Sequence, residues 1–390
     1  MKSILITSTM VPTQHREVRA YYVIKELSKH YKVTLLVTPS KEDKVKDLGE
    51  LRRFCEVIIP EDLSKIFSEM TKNQYKKHYS KTKYLKRFGN LPLKSEITSR
   101  HYYFHLKFKK EIEKLLAKRH FDYIQIEQFY VGPVLEDIKT KAKKILVFHN
   151  VHSHMKNSFW EKIKMRKEEK NMIKHYDLVI CCSEIDKERL KKLGHNKILV
   201  VPNGVDTNYF KKVSFSKKNI LSLLFVGYIY YEPNYKGLKY FFSKIYPLLD
   251  KNIQINIIGD YDEKMFEKEG RLENVKFCGL IKDIRPFFKN SIFICPLLDG
   301  GGTRLKILTS FAAGSPVVST GKGAEGIEYT NGKDILIADS ATKFAKSINT
   351  LMNNKELYNR IRNNARELAE KKYDWKEITK QYVYHLDNLK

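Results

Sequence analysis

A glycine triplet followed by two cations is the feature of this sequence with the clearest chemistry. Gly301 and Gly302 end the triplet, a helix is predicted to open at Thr303, and Arg304 and Lys306 fall in its first turn. Glycines let backbone N–H groups approach a ligand closely, and a helix start adds unpaired N–H groups and a positive dipole end. Cations are unfavourable there unless an anion joins them, so the segment predicts a phosphate or diphosphate site. The alternative is a glycine loop with solvated cations.

Two further candidates follow apolar runs in the same half of the chain. Gly227 comes directly after the run 223–226. It would admit a diphosphate from the other side, although a plain strand-end turn explains a lone glycine equally well. Glu325 stands between glycines after the run 317–319. Its carboxylate would bind a sugar hydroxyl or a ribose, and the alternative is a solvated turn residue.

The first half of the chain offers a histidine. His149 follows the apolar run 145–148 and opens the sequence HNVHSH. Open parallel sheets bind ligands at strand ends, so His149 would position a sugar or carry a proton. One alternative is a structural histidine that caps the next helix. Another alternative is a zinc site. The lack of a cysteine or carboxylate at ligand spacing nearby argues against it.

Three polar residues in the first half are weaker candidates. Glu127 follows the run 123–126 and would lie in the same cleft. His15 and Arg16 follow the first apolar run and would face an acceptor.

Short apolar runs alternate with helix-like patterns in both halves, which predicts βαβ units and parallel sheets. Strands are predicted at 4–7, 33–37, 57–59, 123–126, 145–148, 178–182 and 198–201, then at 223–226, 253–258, 275–278, 292–295, 317–319 and 335–337. Helices are predicted at 17–30, 131–141, 160–175, 184–193, 238–249, 284–289, 303–313, 342–352 and 375–389.

The chain has 390 residues, more than one ordinary core contains, so two domains are expected. The PNG turn at 202–204 and the lysine-rich stretch 211–218 mark the boundary. We therefore predict an N-terminal domain, 1–204, and a C-terminal domain, 205–374. Two doubly wound domains would place a ligand at the carboxyl ends of their strands.

The formal net charge of +28 indicates an anionic partner, such as a nucleic acid, a membrane surface or a phosphorylated substrate, unless it is a simple lysine bias. No recognition helix, zinc finger or aromatic RNP strand accompanies it, so no specific nucleic acid is expected. The cysteines are odd in number, form no C-x-x-C pair and lie partly in strand-like runs as small core residues, which favours a reducing, cytoplasmic compartment. The N-terminus is typical of a first strand, and the longest apolar run, 221–231, is too short to span a bilayer.

Residues 64–120 contain 16 Lys or Arg against 4 Asp or Glu, with aromatic residues between them. Phe104, Phe108, Ile112 and Leu115 share one face of a predicted basic amphipathic helix. Such a helix binds an anionic membrane, although an ordinary surface helix packed on its sheet has the same pattern.

The stretch Pro296–Thr320 resembles the donor-site segment of the retaining glycosyltransferases of family 4, which have the GT-B fold. Their pattern, P-x-x-x-G-G-G-T-R-L-K-[IV]-L-E-A-M-A-x-G-x-P-V-V-S-T, is matched with one conspicuous departure, at Thr309, where the family usually has glutamate. Further similarity lies at 200–210, 223–241 and 323–327.

This resemblance implies an α/β architecture of two Rossmann-like doubly wound domains facing a central cleft, with the final helix, 375–390, packed back on the N-terminal domain. It implies that a sugar moves from a nucleotide-sugar to a glycan or lipid-linked glycan, with retention of configuration and no bound metal or cofactor. His149 would face the sugar, and Arg304 and Lys306 would stabilise the leaving diphosphate. The acceptor would be met in the cytoplasm, at the inner face of the membrane.

The departure at Thr309 leaves two outcomes open. The family's glutamate accepts hydrogen bonds from the donor ribose, which a threonine hydroxyl does not replace. Either Glu325 takes over this contact, or the protein binds its donor weakly. Two other functions compete: a nucleotide-sugar epimerase of the same architecture, which needs further acid and base carboxylates in the cleft, and a degenerate transferase that binds polyanions without catalysis.

Overall fold

The computed structural model describes residues 1–14, 18–37, 45–60, 108–156, 158–212, 222–262, 265–266, 272 and 274–389 of the chain. The chain divides into two compact units, one of residues 1–201 with 382–390 and one of residues 202–381. His15, Arg16 and residues 64–107 of the basic segment lie outside the described residues, so the predictions made for them stay predictions.

A parallel sheet forms the centre of the first unit. Among the described residues its strand order is β3-β2-β1-β4-β5-β6-β7. The strands are β1 Ser3–Ser8, β2 Lys32–Val37, β3 Glu56–Ile58, β4 Tyr123–Ile126, β5 Lys143–Phe148, β6 Leu178–Cys181 and β7 Ile198–Val200, and the helices are α1 Val18–Leu27, α2 Val45–Leu51, α3 Phe159–Ile173 and α4 Glu184–Lys191. The central strands are buried on both faces, which is why they are continuous apolar runs.

The second unit repeats this architecture. Its described strands have the order β10-β9-β8-β11-β12-β13 and are all parallel. They are β8 Ser222–Val226, β9 Ile255–Ile258, β10 Val275–Gly279, β11 Ser291–Cys295, β12 Val317–Ser319 and β13 Leu336–Ile337, and the helices are α5 Glu232–Tyr240, α6 Leu305–Ala313, α7 Ala341–Asn353 and α8 Lys355–Leu368. The predicted α/β class with two parallel, doubly wound sheets is confirmed.

The last helix, α9 Trp375–Asp387, is shared between the two units: residues up to 381 group with the second and residues from 382 with the first. Within the first unit, the Tyr123 hydroxyl donates a hydrogen bond to the Leu386 carbonyl at 2.7 Å, and Lys2 pairs with Asp387 at 3.0 Å. The two ends of the chain therefore meet in the first unit.

Two helix predictions differ most from the structure. Residues 131–141 do not form one helix; a 3₁₀ helix at Phe129–Leu135 replaces it, with Pro133 inside. The helix predicted from 238 begins at Glu232 instead, because Pro233 occupies its first turn, where a missing N–H costs nothing.

The described end of the basic segment is an ordinary packed helix. Residues 108–118 are helical, and the side chains of Phe108, Ile112 and Leu115 are buried in the hydrophobic core. This apolar face therefore covers the sheet, and the prediction that it binds a membrane was wrong for these three residues. No helix in the described part of the chain combines the length and apolar character needed to cross a bilayer.

Candidate functional site

The candidate anion site lies where the strand order of the second sheet reverses. Strands β8 and β11 are neighbours, and the chain leaves them towards opposite halves of the sheet. Such a switch point forms a crevice at the carboxyl ends of the strands. Gly227 follows β8, the glycine triplet follows β11, and Glu325 lies beyond β12. Three of the sequence-based candidates are therefore placed at the ends of adjacent strands.

The helix after the triplet begins two residues later than predicted. Thr303 precedes it, and Arg304 is its N-cap residue with an extended backbone (φ −82°, ψ 91°). The guanidinium of Arg304 turns back onto the loop: its Nη atoms donate to the carbonyls of Asp299 and Gly302, each at 3.2 Å, and to that of Gly301. These carbonyl dipoles offset the unfavourable position of a cation at the helix start. Arg304 thus holds the loop in shape as well as placing positive charge beside it.

The triplet needs glycine for two physical reasons. Gly300 and Gly302 have positive φ angles of 98° and 76°, which glycine adopts without strain. A Cβ at Gly300 would also come within 2.8 Å of an Nη atom of Arg304. Beside this loop, the hydroxyl of Thr303 and the Nε of Arg304 are buried without a hydrogen-bond partner in the described structure. Buried donors left unpaired are costly, and an anionic ligand would satisfy them.

Lys306 is the second cation, and its amine is fixed within the second unit. The Nζ donates to Oδ1 of Asn234 at 2.7 Å and lies 4.2 Å from the centroid of the Phe225 ring. Asn234 is itself oriented, because its Nδ2 donates to the Tyr228 carbonyl at 2.7 Å. Burial lowers the pKa of Lys306 to about 8, and the charge of Arg304 acts in the same direction. The amine therefore lacks a counter-charge that a phosphate would supply.

Asn234 is the site residue that sequence reasoning missed. It lies between the predicted strand 223–226 and the predicted helix 238–249, whereas the structure places it in the first turn of α5, where its Oδ1 accepts a hydrogen bond from the Lys306 amine. The signal was Pro233, since proline is typical of the first helical position and would have moved the predicted helix start to include its neighbour.

Gly227 leaves the space that the Lys306 amine fills. A Cβ built on Gly227 would come within 2.6 Å of the Lys306 Nζ and 3.0 Å of the Asn234 Nδ2. Its φ is not in the left-handed region, so the requirement for glycine here is one of space. The backbone of the β8 turn and the amine of α6 therefore fit together only without a side chain at 227.

We expect Gly227→Ala to weaken nucleoside diphosphate binding about tenfold or more without unfolding the protein. The new methyl group meets the end of a flexible side chain, so the amine moves and the fold does not. A hydrogen bond to a charged group contributes about 1.5–3 kcal/mol. The measurement is calorimetric affinity together with Tm. The matched control is Gly321→Ala, whose Cβ would meet its nearest atom, on Asp339, at an ordinary 3.4 Å; equal affinities of the two variants would contradict this role of Gly227.

Thr309 and Glu325 both have local partners in the second unit. The Thr309 hydroxyl donates to the carbonyl of Leu305, one turn earlier in α6, at 3.0 Å. The carboxylate of Glu325 pairs with Lys322 and is largely buried. The threonine hydroxyl is thus engaged within its own helix, whereas Glu325 retains a carboxylate at the end of a neighbouring strand.

His149 lies in the first unit, directly after β5, against a buried carboxylate. Its Nε2 is 3.4 Å from Oε2 of Glu127, which follows β4. Glu127 is fully buried, and its other oxygen accepts a hydrogen bond from Gln125, whose own amide oxygen accepts one from the Tyr382 hydroxyl. Burial opposes ionisation of Glu127, but the neighbouring His149, the charge of Arg19 and the hydrogen bond from Gln125 outweigh it, so the pKa of Glu127 is lowered.

This geometry assigns Glu127 a role that differs from its predicted one. It was expected to line the cleft, but the structure buries it behind His149, which remains about one quarter exposed. A carboxylate in that position fixes the orientation of the imidazole ring. Within the described residues no three His, Cys, Asp or Glu side chains are grouped as they would be around a metal ion.

Two family models match the chain: one described as "Glycosyltransferase Family 4" over residues 17–209, and one described as "Glycosyl transferases group 1" over residues 221–354. An uncharacterized 44.6 kDa protein from the cps region of Klebsiella pneumoniae is 25% identical over 303 residues, which are 70% of this chain and 76% of that protein.

Solved structures share the whole fold. Anabaena HepE has a TM-score of 0.68 at 16% identity, with 100% of both chains covered. TarM of S. aureus has a TM-score of 0.69 at 12% identity, with 99% of this chain and 100% of TarM covered.

Two doubly wound parallel sheets in one chain, similar over their whole length to these structures, define the GT-B class of α/β proteins. Because glycosyltransferase models match both halves of the chain, this protein belongs to the glycosyltransferases.

Proposed function

We propose that this glycosyltransferase moves a sugar from a nucleoside-diphosphate sugar to a hydroxyl of a glycan or lipid-linked glycan, with retention of configuration and without a bound metal or cofactor. The observation that carries the proposal is the pair of cations, Arg304 and Lys306, held beside the glycine triplet at the switch point of the second sheet.

The chemistry of the donor matches this pair. As the bond between sugar and phosphate breaks, negative charge collects on the leaving diphosphate. Donors fixed in advance stabilise such charge better than water does, because they need no reorganisation. Three carbonyls fix the position of Arg304, and Asn234 fixes that of Lys306, so both cations are preorganised before the donor binds. A diphosphate also supplies the counter-charge that would raise the pKa of the Lys306 amine and keep it protonated.

The solved relatives support a donor of this kind. HepE was solved in complex with UDP and with UDP-glucose, and a TarM variant in complex with UDP and alpha-GlcNAc-glycerol. By this similarity we assign a nucleotide-sugar and a glycan to the present protein, with His149 as the group that faces the transferred sugar.

In this proposal the carboxylate of Glu325 binds the donor ribose, because the hydroxyl of Thr309 does not make that contact. The Thr309 hydroxyl is already bonded within α6, and Glu325 offers a carboxylate two strands from β8. The five cysteines are present as thiols, four of them buried, which fits the reducing cytoplasm that we propose for this protein.

A nucleotide panel tests the proposal. We expect a nucleoside diphosphate to raise the Tm of the full chain, since a ligand at a hundred times its Kd adds about 2.7 kcal/mol to the free energy of unfolding. The corresponding nucleoside should bind more weakly, because it lacks the phosphates that Arg304 and Lys306 contact.

Two variants sharpen the panel. Glu325→Ala should lose the preference for a ribonucleotide over its 2′-deoxy form, whereas Thr309→Val should keep that preference. If no diphosphate shifts the Tm, or if the nucleoside shifts it equally, the phosphate site and with it the proposed donor are refuted.

A further inference from the structure

Helix α3 carries an apolar face that the protein leaves in solvent. Phe159 and Trp160, at its start, are 68% and 76% exposed, and Ile163, one turn later, is 44% exposed. The two rings contact each other edge to face at 5.6 Å. Met155, just before the helix, is 47% exposed. Large apolar side chains grouped in this way mark an interaction site, whereas single exposed ones need no explanation.

This face is separate from the one by which α3 packs. The buried residues of the helix are Met165, Glu168, Glu169, Met172 and Ile173. With 100° between successive residues, these five lie on one side of the helix, and Phe159, Trp160 and Ile163 lie on the opposite side. The exposed apolar residues are therefore not a loose part of the core.

Positive charge continues the same exposed face. Lys167, Lys170 and Lys174 follow Ile163 at helical spacing, and all three are exposed. Of the acidic residues of α3, Glu168 and Glu169 are buried, so only Glu161 offers exposed negative charge. An apolar turn with an indole ring, followed by a row of lysines, fits the boundary between lipid headgroups and acyl chains.

The apolar turn also lies close in sequence to the candidate site. The chain leaves β5 at Phe148, passes His149 and a 3₁₀ helix at His152–Met155, and enters α3 at Phe159. The 3₁₀ helix is tied to α3, because the Ser153 amide donates to the Glu169 carboxylate at 3.1 Å. The start of α3 and His149 therefore belong to the same edge of the first sheet.

We propose that Phe159, Trp160 and Ile163 insert into the interface of an anionic lipid bilayer, with Lys167, Lys170 and Lys174 on its headgroups. The charge of the lysine row is what favours an anionic bilayer over a protein partner or a second copy of the chain. Docking does not depend on the transfer reaction. We further infer that docking brings a lipid-linked acceptor to the edge that bears His149, and this part of the inference rests on the function proposed above.

The fluorescence of Trp160 tests the docking directly. The chain contains two tryptophans, and the other, Trp375, is only 2% exposed. We expect vesicles of phosphatidylglycerol and phosphatidylcholine in equal parts to shift the emission to the blue, and lipids brominated on their acyl chains to quench it. Pure phosphatidylcholine should give a much smaller change, and salt should reverse the binding.

Variants that keep the reporter test the residues around it. Phe159→Ser with Ile163→Ser should weaken vesicle affinity at least tenfold, and replacing the three lysines with glutamine should remove the preference for anionic lipid. The matched control is Leu280→Ser, a residue of the second unit that is 79% exposed; it should bind vesicles as the unchanged protein does.

Three results would overturn the proposal. If the protein sediments with vesicles while the Trp160 emission stays unchanged, it binds them through another part of the chain, such as the basic segment 64–107. Unchanged affinity in the double serine variant removes the apolar face from the contact. A blue shift that grows with protein concentration in the absence of lipid assigns the face to a second copy. The Tm shift with nucleoside diphosphate, measured on the same samples, tells a failure of docking from a failure of the proposed function.

Discussion

Lys306→Met is expected to lower kcat/KM for the nucleotide-sugar by about 10²–10³, the loss found when one fixed donor to a developing negative charge is removed. Methionine keeps the length and apolar stem of the side chain while removing the amine that Asn234 holds. The Tm should stay the same or rise, because burial lowers the pKa of this lysine to about 8 and so disfavours its charged form in the folded protein. Steady-state kinetics with thermal denaturation separate the two effects.

The pH dependence gives this prediction a second readout. Because the folded protein releases the Lys306 proton near pH 8, diphosphate affinity of the unchanged protein should fall as the pH rises through that value. The affinity of Lys306→Met should be weak and flat over the same range. Stability changes with pH in the opposite direction to affinity. Because folding lowers the pKa of Lys306, the free energy of unfolding should increase as the pH rises from about 8 towards the pKa of this lysine in the unfolded chain. Lys239→Met, an exposed lysine of α5, is the control; if it and Lys306→Met lose equal activity, Lys306 does not contact the phosphates.

Glu127→Gln is expected to lower kcat about a hundredfold while leaving nucleoside diphosphate affinity unchanged. The substitution removes the buried charge that lies 3.4 Å from the Nε2 of His149, and the proposed phosphate contacts lie in the other unit. Removing one partner of a buried pair also destabilises a protein by about 3–5 kcal/mol; the partial exposure of His149 places the expected loss near 3 kcal/mol. Single-turnover kinetics and denaturant unfolding measure the two quantities.

The stability effect has a definite pH window. Because folding lowers the pKa of Glu127, its ionised form stabilises the protein at neutral pH, and this contribution is lost as the pH falls below the ordinary range of a glutamate. The stabilities of Glu127→Gln and the unchanged protein should therefore converge in acid. Asp137→Asn, an exposed acid paired with Lys109 in the same unit, should change stability by less than about 1 kcal/mol. Full activity in Glu127→Gln would show that His149 is oriented by other means.

The sequence predicts well whatever depends on local spacing. Alternating apolar runs predict both parallel sheets, and the glycine triplet follows a strand as predicted. The anion site at this position stays a prediction. The start of α6 was wrong because Arg304 keeps an extended backbone in order to reach three carbonyls, which no local helix signal encodes. The helix predicted over 131–141 was wrong because Gly132 and Pro133 break it.

Contacts between residues that are distant in the sequence were the second feature that could not be predicted from local patterns. Asn234 meets Lys306 across 72 positions, and its part in the site follows only once α5 and α6 are both in place. Glu127 and His149 could have been joined in advance, since β4 and β5 pair with Ile126 beside Leu146, and residues just beyond two paired strand ends are neighbours. Amphipathic pattern alone does not distinguish Phe108, which covers the sheet, from Phe159, which faces solvent.

The hydrogen bond from Tyr382 to Gln125, and through Gln125 to the partner of His149, has a consequence for how the protein is made. The first unit contains residues 382–390, so a ribosome has to synthesise residues 202–381 of the second unit before the first unit can be completed. The second unit needs no residue beyond 381. Domains usually mature in the order of synthesis, whereas here the first unit can be completed only after the whole second unit has been made. A nonsense mutation just before Tyr382 would therefore keep Lys306 and the rest of the second unit while removing the hydroxyl that binds Gln125 behind Glu127 and His149.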